Sequence, residues 1–200
     1  GPAPYPTETD AIMGRIAEAF GNAPKNVLRD DGDALGALTS AEVVEAEYRV
    51  PYLAHSTMEP MNATALLDGE NLDIWVGNQA PTLIRDKAAA LAGLDVDNVT
   101  VHTPFMGGGF GRRGEFDAAL QAVKVAMAMP GTPVKLTWSR EEDMRHDFYR
   151  PAAIARMRAV VGAAGPIALD ARIAVPSVND AALTRIVGFV PPGADKLMTA

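Results

Sequence analysis

The sequence predicts an α+β fold, a mixed sheet with packed helices. Apolar residues alternate with a period of two in several short runs and recur every three to four residues in others, and the two kinds of run follow one another in no fixed order. Glycine, proline and aspartate pairs separate them. The 200 residues are 48% hydrophobic and 22% charged, an ordinary balance for a globular chain with a core of its own.

Ile12, Ile16 and Phe20 recur at four-residue spacing and predict a short peripheral helix that ends before the Gly21 to Lys25 breaker. Asp30-Asp31-Gly32-Asp33 lacks the later ligand positions of a calcium loop and reads as a solvated turn. From Glu45 the alternation through Tyr48, Val50 and Tyr52 gives a strand; Leu72, Ile74 and Val76 repeat it after the Asp68-Gly69 turn, so these two strands are expected to pair. Thr82 to Leu91 has helical composition with Pro81 suited to its first turn, which puts Gln79 at a strand-to-helix junction. Val99 and Val101 form a short strand, and Phe116, Ala119, Leu120, Val123 and Met127 mark one face of a helix that stops at Pro130-Gly131. Val134, Leu136 and Trp138 read as a further strand, and Ser139 to Asp147 as a short capped helix with a solvated face. Arg156 to Val161 and Ala168 to Val175 form an antiparallel pair around Gly165-Pro166, and the tail from Pro191 is loop-like. The segment 1–40 is expected to be a linker or peripheral helical piece, and 41–200 a partial domain.

Composition excludes several functions. The net charge is −7 with no basic stripe, which argues against nucleic acid as a partner. There is no cysteine, so the chain holds no disulfide, iron–sulfur ligand or thiol nucleophile. No apolar run approaches the roughly 20 residues of a membrane-spanning helix. The Gly-Pro-Ala-Pro-Tyr-Pro start suggests an excised or processed piece, and localisation stays open between bacterial cytoplasm and periplasm. Gly-x-Ser-x-Gly is absent, so hydrolase chemistry has no nucleophile elbow. His55 and Glu59 have helical metal-ligand spacing, but their segment follows a strand and ends in Pro60. His102 and His146 stand alone in the sequence and read as structural histidines.

The segment with the most chemical content is Met106 to Glu115. Gly107, Gly108, Gly109 and Gly111 surround Phe110, and Arg112 and Arg113 follow. A glycine-rich backbone can turn successive N–H groups toward one anion, and a following helix adds its positive end. The simpler alternative is a turn between strand and helix. A second alternative is a nicotinamide-binding turn, since Gly109, Gly111 and Gly114 satisfy G-x-G-x-x-G. Against it, some ten residues of loop follow Val101, and Ser139-Arg140 stands where an acid is expected, although Arg140 suits a 2′-phosphate. A P-loop is excluded because its lysine and hydroxyl residue are missing.

Several separated blocks in order carry a more specific signal. Tyr48-Arg-Val-Pro-Tyr-Leu-Ala-His-Ser-Thr-Met-Glu-Pro-Met-Asn-Ala-Thr-Ala65, Trp75-Val-Gly-Asn-Gln-Ala-Pro81, the Gly107 to Arg113 loop and Arg145-His-Asp-Phe-Tyr-Arg-Pro151 resemble the molybdenum-binding subunit of the xanthine oxidase family of molybdenum hydroxylases. The likeness is strongest to isoquinoline 1-oxidoreductase and related aldehyde dehydrogenases. The resemblance implies the first half of a molybdopterin-binding domain, with Gln79, Gly107, Gly108, Gly109, Phe110, Gly111 and Arg112 holding a molybdenum–molybdopterin cofactor, in bacterial members usually the cytosine dinucleotide form. By the same resemblance the Gln79 amide and the N–H groups of Phe110 and Gly111 face oxygen ligands of the metal. The implied activity is oxidative hydroxylation of an aldehyde or N-heterocycle with water as oxygen source. The implied partners are a small [2Fe–2S] subunit and the remaining domains of the large subunit. The family's general-base glutamate has no counterpart before Ala200, so no catalytic residue is assigned and the chain alone is expected to be inactive. Some relatives carry a substrate-contacting glutamate where this sequence has Gly114, and Glu115 stays unassigned. A non-catalytic scaffold of the same fold is the rival from another class.

Overall fold

The computed structural model describes residues 6–40 and 42–189; the first residues of the expected linker, 1–5, and the tail from Pro191 lie outside them. In chain order the elements are α1 (Thr9–Glu18), α2 (Ala34–Ser40), β1 (Val44–Val50), β2 (Asn62–Asp68), β3 (Asn71–Trp75), α3 (Pro81–Ala92) and β4 (Val99–His102). There follow α4 (Asp117–Ala128), β5 (Val134–Thr137), α5 (Arg140–Arg145), β6 (Ala153–Gly162), β7 (Gly165–Ala174) and α6 (Val178–Val187). Two compact units result, Ala54–Tyr149 and the flanking segments up to Leu53 and from Arg150.

The central unit is a four-stranded mixed sheet of order β4-β3-β2-β5. β2 pairs antiparallel with β3 and β5, and β3 runs parallel to β4 through the α3 crossover. Ala63 and Ala65 of β2 and Leu72 and Ile74 of β3 point to one face, where they pack with Ile84 and Ala88 of α3 and Ala122 and Val123 of α4. Each large aliphatic side chain buried there contributes about 1.5–3 kcal/mol. Alanines at Ala118, Ala119, Ala122 and Ala126 make up most of the buried stripe of α4 and let it lie close to the strands. Pro81 occupies the first turn of α3, and Gly93 closes that helix with φ +70°, a left-handed conformation that glycine adopts without a steric cost. Ser139 caps α5 by accepting the Glu142 N–H.

The flanking unit is a three-stranded antiparallel sheet of order β1-β6-β7. Met13 of α1 packs on Ile154, and Leu38 of α2 packs on Val160 and Ala168. Cross-strand ion pairs join Arg156 to Glu47 at 2.7 Å and Arg158 to Glu45 at 3.0 Å. Alternate residues on the opposite face, among them Val44, Tyr48, Leu169 and Ile173, are apolar and exposed.

The helix at Ile12 to Phe20, the crossover helix, the capped turn and the β6–β7 pair stand where periodicity puts them. The pairing of β1 does not: it joins β6, with Tyr48 opposite Ala155, and the partner of β3 across Asp68-Gly69 is β2. The inward positions of β2 in that unit are alanines, whose small side chains carry a weak alternation signal and favour helix by propensity.

Candidate functional site

β3 and β4 are adjacent and parallel, with Trp75 opposite His102, so the segments leaving their carboxyl ends emerge side by side. Parallel strands present ligand sites at this edge, where the connecting segments separate and helix N-termini carry free N–H groups. The Val76 N–H still bonds to the His102 carbonyl at 3.1 Å, and beyond it the two segments separate into the Gly77 to Ala80 junction and the Thr103 to Gly111 loop. The residues leading into β2 and those following β5 reach the same edge, since both strands run antiparallel to their neighbours there; Trp138 bonds to the Met61 carbonyl.

Buried Asn78 fixes the junction. Its Nδ2 donates to the Val76 carbonyl at 2.9 Å, and its Oδ1 accepts the Ala80 N–H at 2.9 Å. Gln79 is thereby held in an exposed position. Its main-chain N–H donates to the Arg113 carbonyl at 2.9 Å, and its Oε1 accepts the Gly111 N–H at 3.0 Å. A backbone N–H requires an acceptor, so this contact fixes which end of the amide is oxygen and leaves the two Nε2 hydrogens as donors.

The glycine loop is tight enough that side chains would not fit. A Cβ on Gly107 would come within 2.5 Å of Glu59 Cβ, and one on Gly109 within 2.8 Å of Gln79 Cδ. Phe110 takes φ +51°, which disfavours any residue with a Cβ, and its ring is 72% exposed. The Phe110 N–H has no hydrogen-bond partner among the described residues.

Both arginines turn inward. Arg112, 2% exposed, forms a fork with Asp117 at 3.0 and 2.8 Å and lies between the rings of Trp138 and Phe148, 5.6 and 5.0 Å away. Its Nε is 3.1 Å from Asp147 Oδ1, close enough for charge pairing but off the line for a hydrogen bond. Burial alone would lower its pKa; the hydrogen bonds to Asp117 and the charges of Asp117, Asp147 and Asp143 outweigh it, and the pKa is raised. For Arg113, burial outweighs the charges of Glu59 and Asp143 and lowers the pKa; a guanidinium nevertheless stays charged. Arg113 donates Nε to the Gly108 carbonyl, Nη1 to the Gly77 carbonyl and Nη2 to the Glu59 carbonyl, at 2.8, 3.1 and 2.8 Å. The Glu59 carboxylate accepts from Gly107 N–H at 2.8 Å, Asn62 Nδ2 at 2.8 Å and Arg113 Nη2 at 3.0 Å. Burial is the largest single influence on it and acts upward, yet these donors and the nearby cations hold its pKa below the ordinary glutamate range.

The other sequence candidates have local partners. His55 Nδ1 is 2.9 Å from Asp147, whose carboxylate also accepts the His55 N–H. His102 Nε2 bonds to Asp73 at 2.8 Å with its ring stacked on Trp75, and His146 bonds to Glu142 at 2.8 Å. Arg140 pairs with Asp143 and the Met58 carbonyl, and Gly114 closes a 3₁₀ turn three residues before α4. The loop residues Gly107 to Gly111 and Gln79 thus come together, while the Arg112 guanidinium faces the interior. Glu59, Asn78, Arg113 and Asp147 are the site residues that sequence reasoning did not assign.

Residues 19–177 match the molybdopterin cofactor-binding domain family. The chain belongs to this family. This molybdopterin cofactor-binding domain is 36% identical over 131 residues to isoquinoline 1-oxidoreductase subunit beta of Brevundimonas diminuta, a match covering 64% of the chain and 16% of that protein. It is 34% identical over 139 residues to the aldehyde oxidoreductase molybdenum-binding subunit of Escherichia coli, covering 68% and 19%. The domain therefore spans under a fifth of the length of these curated relatives. Among solved structures, quinoline 2-oxidoreductase from Pseudomonas putida 86 superposes with a TM-score of 0.58 at 23% identity, covering 72% of the chain and 19% of that chain, a likeness of fold.

Proposed function

We propose that the edge formed by Gln79 and the Gly107 to Gly111 loop holds a molybdenum–molybdopterin cofactor, in its cytosine dinucleotide form, within the large subunit of an aldehyde- or N-heterocycle-oxidising enzyme. The observation that carries this reading is the Gln79 to Gly111 contact, which leaves the two Nε2 hydrogens of exposed Gln79 as donors on the loop whose Phe110 N–H has no partner among the described residues. Neutral donors in fixed positions suit an electron-rich oxygen, because they bind it without adding an acid or a base to the site. The glycines also let the loop backbone lie close against its neighbours: the space at Gly107 and Gly109 is taken by Glu59 and Gln79, and a Cβ at Gly111 would meet nothing within 4 Å.

The cofactor, when bound, supplies the redox chemistry of oxidative hydroxylation with water as oxygen source. Gln79 would orient it through Nε2, and the Phe110 N–H would add a second donor. Gly107, Gly108 and Gly109 would allow close approach, and Arg112 would serve from inside by bracing the loop against Asp117 and Asp147. Residues 41–200 would form part of the cofactor-binding domain and 1–40 a peripheral helical segment. The general-base glutamate would lie elsewhere in the large subunit. A [2Fe–2S] centre held outside these 200 residues, on a small partner subunit, would serve as electron acceptor.

The test is Gln79→Ala in the full enzyme complex, measured with metal analysis and steady-state kinetics. Wild type should contain about one molybdenum per large subunit, and the variant should fold normally but lose about 10- to 100-fold in activity or metal retention. A molybdenum-free wild-type complex that still oxidises aldehydes would overturn the reading, as would unchanged turnover and metal content in the variant.

A further inference from the structure

We propose that Arg113, acting with the Glu59 carboxylate, is the positioning residue that sets the glycine loop against Gln79. Three segments meet at this edge without strand pairing between them: the turn at Glu59, the Gly77 to Gln79 junction and the Gly107 to Gly111 loop. Arg113 contacts all three. Its guanidinium spans carbonyls of Glu59, Gly77 and Gly108, one in each segment, while its own carbonyl accepts the Gln79 N–H. Glu59 completes the clamp in both directions, its carboxylate accepting the Gly107 N–H and its main-chain N–H donating to the Gly107 carbonyl at 3.2 Å.

The geometry requires arginine. Acceptors arranged around a planar fork match five fixed N–H donors, whereas an ammonium presents its donors from one point and cannot span them. The site also requires the carboxylate, because Arg113 is 2% exposed and Glu59 is the acid in direct ion-pair contact with it, at 3.0 Å, while Asp143 acts from farther off. Gln79 reaches the Gly111 N–H only while junction and loop keep this separation. Arg113 therefore acts through Gln79 and the loop and touches no ligand itself.

The clamp is testable without cofactor, and only its consequence for catalysis rests on the function proposed above. In the full chain, amide exchange by NMR should quicken by at least about tenfold at Gly107 and Gly111 in Arg113→Lys, with the amides of β3 and β4 unchanged. Glu59→Gln, which keeps an acceptor for Gly107 but removes the charge, should quicken Gly111 more than Gly107. Unchanged exchange in both variants overturns the proposal. So does uniform loosening of strands and loop alike, which would make Arg113 a general brace of the core. In the assembled enzyme, Arg113→Lys should lower kcat or molybdenum content by about tenfold while KM stays within about twofold. If the loop loosens yet metal content and kcat match wild type, the clamp stands and the cofactor assignment of the loop falls.

Discussion

Gly109 is constrained by a neighbour that can move, and this makes its substitution informative. Its Cβ would meet Gln79 Cδ and Oε1 at 2.8 Å and Met106 Sδ at 3.2 Å, all in side chains. Gly109→Ala should therefore displace Gln79 at the cost of its bond to Gly111, lowering stability by no more than about 1.5 kcal/mol. Activity of the complex should fall much further; a variant that unfolds outright, or one with wild-type turnover, contradicts this. Glu59 gives a pH prediction of definite sign. A carboxylate held below its ordinary range contributes stability that is complete above that range and is lost as pH falls through it. Glu59→Gln should flatten the acid limb of a Tm profile taken between about pH 7 and pH 3. The glycine run was visible in the sequence, and Gln79 stood out by its strand-to-helix junction and by the family resemblance. Glu59 and Arg113 were not, since their long-range partners are largely backbone groups 36 to 54 positions away in the chain, and backbone groups leave no trace in residue identity.

At the level of elements, α4 lies close to β2 because both present mainly alanines to the core. Ala122 of α4 is fully buried near Ala65 of β2 in one core. Ala122→Leu should cost about 1–3 kcal/mol by overpacking, measurable by urea unfolding; a smaller loss would show that α4 can lift from the sheet. The same alanines hid β2 from periodicity, whereas β6 and β7, longer and richer in branched residues, were evident. The pairing of β1 with β6 was illegible for a different reason: over 90 residues lie between them in the chain, and alternation alone does not name a partner.

On the scale of the whole molecule, the sheet of the flanking unit is finished on one face only. Its helix-bearing side carries the ion pairs of Arg156 and Arg158, and its other side exposes Leu169 and Ile173. The isolated chain should bind a dye that fluoresces on apolar surface, such as ANS. Leu169→Lys with Ile173→Lys should reduce the signal and shift Tm by less than about 2 °C per substitution. Undiminished dye binding would locate the apolar surface elsewhere.

The chain has two tryptophans, and they flank the site. Trp75 stacks on His102 with ring centroids 4.8 Å apart at the strand ends that launch the junction and the loop, while Trp138 faces the Arg112 guanidinium. The molecule thus carries its own pair of optical reporters, each in contact with a group that perturbs indole emission. Replacing either tryptophan with phenylalanine leaves the other to report one wall of the site, so loop movement can be followed in real time without an attached label.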